Sequence, residues 1–411
     1  MLFNSKEDFI PLIRADLDVY PVKTDERELI YFHDSMGYAK DNFVLQKEVA
    51  GLLALLDQSR SVNELHKELL KYQSDVGVDQ ILDFIRHLDE NRILHSPYFK
   101  KISADIEEDF EKSKVRMPSC NGSSYPANPD ELRQMLDAAF KEIRSVSPPA
   151  SAKALYAPHI DPRVGLASYV KAFAPLKDLK PSKVVILATS HYSGSYYPYY
   201  EDTPFIASRK SFRTPLGETP AHQGFLDKIE GQADALGCSM KDRAHRVEHS
   251  IEMHILFLQY LWSHTFEIVP LLVGSFDQLL YKEDGHLGTQ LENMSKFLHD
   301  EFSGQEDTFF LISGDLAHIG RKFGDKTPAS AMLPEVKLFD GGFLEKASNN
   351  RPEELIKMVS KEKDAYRICG FPPLLTFLKG MEDVKGKVTS YQIWDEAERE
   401  SAVSFGSILY E

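Results

Sequence analysis

Residues 183–191 read KVVILATSH, an apolar run that ends in hydroxyl groups and an imidazole. Apolar runs of the same kind recur along the chain, at 152–157 (AKALYA), 267–274 (EIVPLLVG), 308–314 (TFFLISG) and 402–409 (AVSFGSIL). Helical patterns lie between them, at 129–145, 165–177, 221–236, 248–263, 287–302 and 352–361. Strands that are apolar throughout and alternate with helices are typical of a sheet covered on both faces. We therefore predict an α/β domain over 119–411.

The residues before this domain have a different pattern. Residues 18–33 (DVYPVKTDERELIYFH) predict a short hairpin, and helical patterns follow it, one of them opening with the capping box of Ser61 and Glu64. The stretch 93–99 (ILHSPYF) predicts a closing strand. Hairpin, helices and a short strand together predict a small winged-helix-like domain over 1–103. The charged stretch 104–118 predicts a linker.

Composition excludes several classes of function. The chain has 411 residues, with 48 Lys and Arg against 63 Asp and Glu, so its formal net charge is −15. An acidic surface argues against a nucleic-acid binder, which gains affinity by neutralising phosphates. The apolar runs are too short to cross a bilayer, and the N-terminus does not resemble a signal peptide. Three cysteines cannot form a disulfide framework. We expect a cytoplasmic protein that binds neither nucleic acid nor membrane.

Three histidines follow predicted strands directly. His159, His191 and His318 each come just after an apolar run, and the carboxylates of Asp161 and Asp315 are close to two of them in sequence. In α/β sheets, ligands bind at the carboxyl ends of the strands. A single histidine there is usually a cap or turn residue. Three at one edge, with carboxylates, indicate a metal site, since imidazole is the commonest protein ligand for iron, copper and zinc.

A second histidine pattern offers a different metal site. His245, Glu248 and His249 match the inverted zincin motif, in which two histidines bind zinc and the glutamate acts as a base. The same residues run into an amphipathic helix whose first turn would contain Glu248 and Glu252, and acidic residues are ordinary at a helix start. The alternative is that these side chains border the strand-end site.

Cys369 precedes Gly370 and a Pro-Pro pair that would turn the chain into a helix. A cysteine at such a position can have a lowered thiol pKa and act as a ligand or nucleophile. The alternative, which the position of Cys369 supports at least as well, is that this cysteine is a small, buried, apolar side chain. The sequence contains no Walker loop, GxGxxG, CxxC or GxSxG motif, so nucleotide-binding and α/β-hydrolase functions have no support.

Taken together, these motifs resemble the Memo-like family, and within it the bacterial two-domain form called AmmeMemoRadiSam system protein B. The resemblance covers the chain from about residue 117 to its end. The strongest match is Glu248–His254 (EHSIEMH). The other matching segments are Gly122–Pro126, Ala157–His159, Ser190–His191, Thr214–Gly217, Ser313–Asp315, His318–Gly320, Ile368–Gly370 and Ser401–Phe405.

The resemblance implies a fold and a site. The family is similar to class III extradiol dioxygenases, which bind non-haem Fe(II) in an α/β sandwich, here a central mixed sheet flanked by helices. Carried over to this chain, it implies His159, His191 and Cys369 as metal ligands, with His318 and Asp315 as the adjacent acid/base pair. Fe(II) is the implied metal, with copper or zinc as alternatives. The expected surrounding pocket residues are Asp161, Arg163, Tyr192, Glu248, His249 and Glu252.

The sequence departs from the family in the pocket. Residues 160–163 (IDPR) stand where the family has Ala-Gly-Tyr after the first ligand, and Tyr192 replaces a second histidine. The departures put the substrate in doubt more than the metal.

The N-terminal domain more weakly resembles PqqD-like peptide-binding modules. That resemblance implies a peptide or protein substrate and a radical-SAM enzyme as partner. Three functions therefore remain open: a mononuclear iron or copper redox enzyme, a non-catalytic peptide-binding or protein-binding module that uses the same crevice, and a zinc-dependent hydrolase.

Overall fold

The computed structural model describes residues 1–24, 27–40, 43–72, 75–141, 152–196, 198–282, 285–381 and 383–411. The chain divides into two compact units, Met1–Lys112 and Ser113–Glu411. None of the helices in these ranges is long and apolar enough to cross a membrane.

In its described residues, the N-terminal unit combines a small sheet with four α-helices. Its antiparallel strands pair in the order β1-β2-β3, and β1 and β2 are the arms of the predicted hairpin, of which residues 25–26 lie outside the described residues. The elements are β1 (Asp18–Lys23), β2 (Glu28–His33), β3 (Val44–Gln46), α1 (Ala50–Leu53), α2 (Val62–Leu70), α3 (Val78–Glu90) and α4 (Pro97–Lys112).

Two predictions for this unit were wrong. The expected strand at 93–99 is reduced to a single bridge between Ile13 and Leu94, because Pro97 already begins α4. The expected linker is largely the continuation of α4, which extends to Lys112. Its many charged residues, one of them buried, conceal the apolar periodicity of the helix. The buried side is fixed by Glu107, which accepts a hydrogen bond from the Tyr38 hydroxyl.

The predicted capping box is present at the start of α2. The Ser61 side chain accepts a hydrogen bond from the backbone N–H of Glu64 at 3.3 Å, and the Glu64 carboxylate accepts one from the backbone N–H of Ser61 at 2.8 Å. We expect Ser61→Ala to destabilise this helix by about 1 kcal/mol, because an N–H at the helix start loses its acceptor. Amide hydrogen exchange over Val62–Leu70 should accelerate, whereas Ser103→Ala in the middle of α4 should leave it unchanged; equal exchange in both variants would contradict the prediction.

The C-terminal unit is a large α/β structure. Its helices are α5 (Pro129–Lys141), α6 (Pro162–Phe173), α7 (Gln223–Glu230), α8 (Ala233–Leu236), α9 (Glu252–Leu261), α10 (His286–Phe302), α11 (Ala329–Ser348), α12 (Pro352–Glu362) and α13 (Phe371–Gly380). Its strands are β4 (Val115–Arg116), β5 (Ala154–Ala157), β6 (Lys183–Thr189), β7 (Phe205–Ala207), β8 (Ser211–Thr214), β9 (Gly217–Thr219), β10 (Cys238–Ser239), β11 (Glu267–Val273), β12 (Thr308–Ser313), β13 (His318–Gly320), β14 (Gly386–Glu396) and β15 (Ser401–Tyr410).

A nine-stranded mixed sheet forms the centre of this unit. The strands run in the order β10-β7-β11-β6-β12-β5-β15-β13, with β14 also paired to β15. The four strands β11, β6, β12 and β5 are parallel to one another, and β15 is antiparallel to β5. Alternate side chains of β6 enter two separate hydrophobic clusters, Val185 and Leu187 on one face and Val184 and Ile186 on the other. Both faces are therefore covered, and the predicted mixed sheet flanked by helices is confirmed.

All five apolar runs predicted as strands are strands of this sheet. The helical pattern at 248–263 begins later than predicted, at Glu252, so Glu248 and His249 lie on the segment before α9 rather than in its first turn. The end of the pattern at 129–145 lies outside the described residues.

A buried carboxyl on α11 gives the stability of this unit a pH dependence. The Asp340 side chain is fully buried, its Oδ2 accepts the Tyr391 hydroxyl at 2.8 Å, and the Ser404 hydroxyl is a second hydrogen-bonding group beside it. Burial raises the pKa of Asp340 to about 6. An acid whose pKa is raised in the folded state stabilises the protein at low pH, and this stabilisation is lost as the pH rises through that pKa.

We expect the ionisation of Asp340 to lower the free energy of unfolding by about 1.4 kcal/mol between pH 5 and pH 8. This is the value of one pKa unit, because only the part of the shift between pH 5 and the raised pKa of about 6 falls in this pH range. Asp340→Asn should abolish that part of the pH dependence in urea unfolding, since the asparagine side chain does not ionise. Asp395→Asn, at an exposed position of β14, should leave it in place. A wild-type slope retained in Asp340→Asn would contradict this assignment.

Candidate metal centre

The central strands bring the predicted site residues to one edge of the sheet. His159 follows β5, His191 follows β6, and Asp315 follows β12. These three parallel strands are direct neighbours, in the order β6-β12-β5, so their carboxyl ends lie side by side. The position of the site therefore follows from the strand order, as is general for α/β sheets.

Three imidazoles meet at this edge. The ligand atoms of His159, His191 and His249 all lie within 4.8 Å of one another. The ring centroids are 4.8 Å apart for His159 and His191, 5.3 Å for His159 and His249, and 4.8 Å for His191 and His249. The His159 side chain is buried, whereas those of His191 and His249 are 28% and 27% exposed. The cluster is therefore open to solvent on one side.

Glu248 orients two of the three rings. Its Oε1 accepts a hydrogen bond from His191 Nδ1 at 2.9 Å and lies 3.4 Å from His249 Nδ1, and its Oε2 accepts the backbone N–H of His191 at 2.7 Å. A carboxylate can only accept here, so the Nδ1 of His191 carries a proton. Burial lowers the pKa of His191, but the Glu248 charge outweighs burial and raises this pKa well above its ordinary value, so Nε2 is protonated too in the metal-free site. Burial would raise the pKa of Glu248, but the adjacent His191 charge lowers it to about 2. The carboxylate is thus ionised.

Cys369 lies next to the trio. Its Sγ is 3.4 Å from His159 Nε2 and accepts the backbone N–H of Asp315 at 3.2 Å. The Thr189 hydroxyl holds the loop in place by donating to the Cys369 carbonyl at 2.8 Å. Burial raises the pKa of the Cys369 thiol, which favours the protonated form in the metal-free site. The assignment of Cys369 as a ligand stays a prediction, and His249 is a second candidate for the same role.

Asp315 and His318 border the same site. The Asp315 carboxylate accepts the backbone N–H groups of His159 and Ile160, at 3.1 and 3.3 Å, and its Oδ2 is 3.8 Å from His159 Nε2. Burial raises the pKa of Asp315 to about 7. His318 places Nδ1 3.1 Å from the carbonyls of both Leu316 and Arg367, so its Nδ1 is the protonated nitrogen and its Nε2 can accept a proton.

The remaining predicted pocket residues have structural partners. Asp161 caps α6, is paired with Arg163 at 2.6 Å and accepts the Ser124 hydroxyl at 2.9 Å. Tyr192 is adjacent to His191, with ring centroids 6.3 Å apart. Glu252 is buried and paired with the fully buried Arg116, and does not belong to the histidine cluster.

The zincin alternative does not match the geometry. His245 ends a short 3-10 helix and points its Nε2 at the Ile206 carbonyl, 3.0 Å away. His245 and His249 are not one turn apart on a common helix, because α9 begins only at Glu252. Over the described ranges, the histidine cluster includes His249 without His245.

Sequence reasoning missed the hydroxyl groups that support the site. Ser313 Oγ is 3.0 Å from His159 Nδ1 and donates to the Ser250 carbonyl at 2.8 Å. Ser250 Oγ in turn donates to the Thr189 carbonyl at 2.8 Å. Ser313 and Ser250 lie in segments that match the family, but serine is common at strand ends and nothing in the sequence showed that these hydroxyl groups support a histidine.

A cavity of about 230 Å³ opens beside the cluster. His191, Ser190 and Cys369 line it, together with the charged side chains of Asp277, Asp364 and Arg367. Its apolar wall consists of Val273, Phe276, Leu280, Ile368, Phe371 and Pro372. A partly apolar cavity with a few convergent polar groups is typical of a small-molecule site.

The family model and the relatives that match this chain point to the same protein family. A family model described as Memo-like protein matches residues 116–409. A MEMO1 family protein of Aquifex aeolicus is 27% identical over 381 residues, which cover 92% of this chain and 94% of that protein. A MEMO1 family protein of Thermus thermophilus is 27% identical over 357 residues, covering 86% and 99%. Both alignments are longer than the region matched by the family model, so they extend into the N-terminal unit.

Proposed function

The chain belongs to the Memo-like protein family, and on this basis we propose that its C-terminal unit binds one non-haem metal ion, Fe(II) in preference to copper or zinc, for redox chemistry on a small substrate. The observation that carries the proposal is the cluster of His159, His191 and His249 beside Cys369. The similarity of the predicted fold to extradiol dioxygenases belongs to the same proposal.

The donor set suits such an ion. Burial and the neighbouring imidazoles lower the pKa of His159 far below its usual value, and burial and His191 lower the pKa of His249 to about 4, so both rings are neutral ligands at pH 7. The Nδ1 of His191 is held by Glu248, so a metal would bind at Nε2 and would displace the proton that this nitrogen carries in the metal-free site. In catalytic metal sites, a histidine ligand typically donates its other ring N–H to a carboxylate, as His191 does to Glu248. Cys369 or His249 would supply the third ligand.

A bound metal would supply Lewis acidity and a redox couple at this position. The chain's own residues supply the proton chemistry. With a pKa of about 7, Asp315 can hold or release a proton near neutral pH, and His318 presents an unprotonated Nε2 because burial and the charge of His191 lower its pKa to about 4. The apolar wall of the adjacent cavity would hold the body of a substrate next to these groups and exclude water.

The N-terminal unit would serve a partner. We propose that it is a winged-helix-like, PqqD-like module that binds a peptide or protein and presents it to a radical-SAM enzyme. Its small sheet and the exposed apolar side chains of Val19, Val22 and Val44 support this proposal. If this unit binds the radical-SAM enzyme, the full chain should capture that enzyme in a pull-down. A variant of the chain in which an unrelated domain replaces residues 1–112 should not capture it.

Anaerobic calorimetry tests the metal proposal. We expect Fe(II) to bind the chelator-treated full chain at close to one equivalent per molecule, and His264→Ala, a histidine of the same unit outside the cluster, to bind equally well. Absence of binding would overturn the proposal. A partner that binds equally with and without metal would then support the non-catalytic module, and zinc binding that requires His245 would support the hydrolase.

A further inference from the structure

Ser313 is the last residue of β12 and is fully buried behind the His159 ring. Its hydroxyl oxygen is 3.0 Å from His159 Nδ1 and 2.8 Å from the backbone carbonyl oxygen of Ser250. Ser313 therefore connects strand β12, the loop after β5 and the segment before α9. It would not contact a substrate or a metal ion.

The direction of the two hydrogen bonds follows from the donor inventory. A serine hydroxyl has one proton, and a carbonyl oxygen can only accept. At 2.8 Å the Ser250 carbonyl requires that proton, because two oxygen atoms without a hydrogen between them would repel each other at this distance. The Ser313 oxygen is then an acceptor toward His159, so the hydrogen of that contact must come from Nδ1.

We propose that Ser313 is a positioning residue that fixes the tautomer of His159, with the proton on Nδ1 and the lone pair on Nε2. The Nε2 atom faces the site, 3.4 Å from Cys369 Sγ and 3.8 Å from Asp315 Oδ2. The importance of this tautomer for metal binding rests on the proposed function, whereas the tautomer itself does not.

Selection is needed because the site contains a competing acceptor. The Asp315 carboxylate near Nε2 would attract the imidazole proton to that nitrogen, which would leave the lone pair on Nδ1, turned away from the cluster. Ser313 opposes this by offering Nδ1 an oxygen whose own proton is already committed to Ser250. The Ser250 carbonyl is thus as necessary as the hydroxyl, since without it Ser313 could donate to Nδ1 instead.

The other rings of the site reach the same outcome by different means. His191 donates Nδ1–H to a carboxylate, and His318 has two carbonyl oxygens near Nδ1. Carboxylate and carbonyl oxygens can only accept a hydrogen bond, whereas a hydroxyl can either accept or donate one. His159 differs from His191 and His318 because its tautomer depends on a relay through a second residue.

Nitrogen NMR of the metal-free full chain, labelled with ¹⁵N-histidine, tests this directly. Long-range ¹H–¹⁵N correlations should show His159 protonated at Nδ1 in the wild type. In Ser313→Ala they should show a substantial population protonated at Nε2, and Fe(II) affinity should fall on the order of 10–100-fold, the usual effect of removing a partner behind a ligand. Ser313→Cys, with a weak sulfur acceptor of similar shape, should give the same tautomer shift if the alanine variant folds poorly.

Ser295→Ala is the matched control, because Ser295 is also a buried serine that donates to a backbone carbonyl, that of Thr376. It should leave the His159 signals unchanged. An unchanged Nδ1-protonated ring in both Ser313 variants would overturn the proposal, whatever the metal does. A tautomer shift in a protein whose wild type binds no Fe(II) would support the role of Ser313 and reject the proposed function.

Discussion

Replacing either His159 or His191 by alanine is expected to lower the affinity for Fe(II) by at least about 100-fold, more than the loss of an outer hydrogen-bond partner. Each substitution removes one of the imidazoles that meet at the carboxyl ends of β5 and β6. His159→Ala should have the larger effect because this ring is buried, whereas that of His191 is 28% exposed. Competition with a chromophoric chelator under nitrogen measures the constants.

The same titration separates the two candidates for the third ligand. If Cys369 binds the metal, Cys369→Ser should weaken binding far more than His249→Ala, and the reverse should hold if His249 binds it. Circular dichroism of each variant shows whether the fold is retained. Wild-type affinity in both His159→Ala and His191→Ala would show that the cluster does not bind the metal.

Glu252→Ala is expected to have the largest effect on stability, a loss of about 3–5 kcal/mol, because it leaves the buried Arg116 guanidinium without its counter-charge. The side chains of Arg116 and Glu252 are 0% and 1% exposed. The carboxylate also accepts the Tyr125 hydroxyl and the backbone N–H groups of Ser119 and Cys120, at 2.8 and 3.0 Å. Urea unfolding of the full chain measures the change.

Glu218→Ala is the matched control, because its partner Arg213 forms an exposed ion pair, with 36% and 51% exposure of the two side chains. Such pairs contribute at most about 1 kcal/mol. The double variant Arg116→Met with Glu252→Leu should recover the part of the loss that comes from the unpaired charge, but not the part that comes from the donors that lose the Glu252 carboxylate. Equal losses from Glu252→Ala and Glu218→Ala would contradict the assigned role of the buried pair.

The sequence predicted the centre of the sheet because its strands are buried on both faces. The runs that became β6, β11 and β12 are apolar at nearly every position, so burial and sequence pattern agree. The strand β14 is only half-buried and carries polar residues, and α11 contains an internal proline, Pro334. Neither segment therefore shows a clear hydrophobic periodicity in the sequence. Elements at the edge of the unit therefore escaped prediction, although β14 is one of its two longest strands.

The candidate site, like the sheet, was predicted from the sequence only in part. Positions directly after parallel strands could be predicted, because the ends of such strands meet by geometry alone; this identified His159, His191 and Asp315. His249 was expected to border the pocket but not as a candidate ligand, because its exact position depends on how the segment before α9 folds back onto Glu248. The support from Ser313 depends on a carbonyl 63 residues away along the chain, and such contacts leave no local pattern.

The central claim is that one metal ion binds among these imidazoles. Crystals of the full chain loaded with Fe(II) under nitrogen, measured on both sides of the iron absorption edge, test it most directly. We predict one strong anomalous peak per chain, in contact with the Nε2 atoms of His159 and His191 and with a third ligand from Cys369 or His249. An anomalous peak elsewhere on the molecule, or no peak in crystals grown with saturating Fe(II), would contradict the claim.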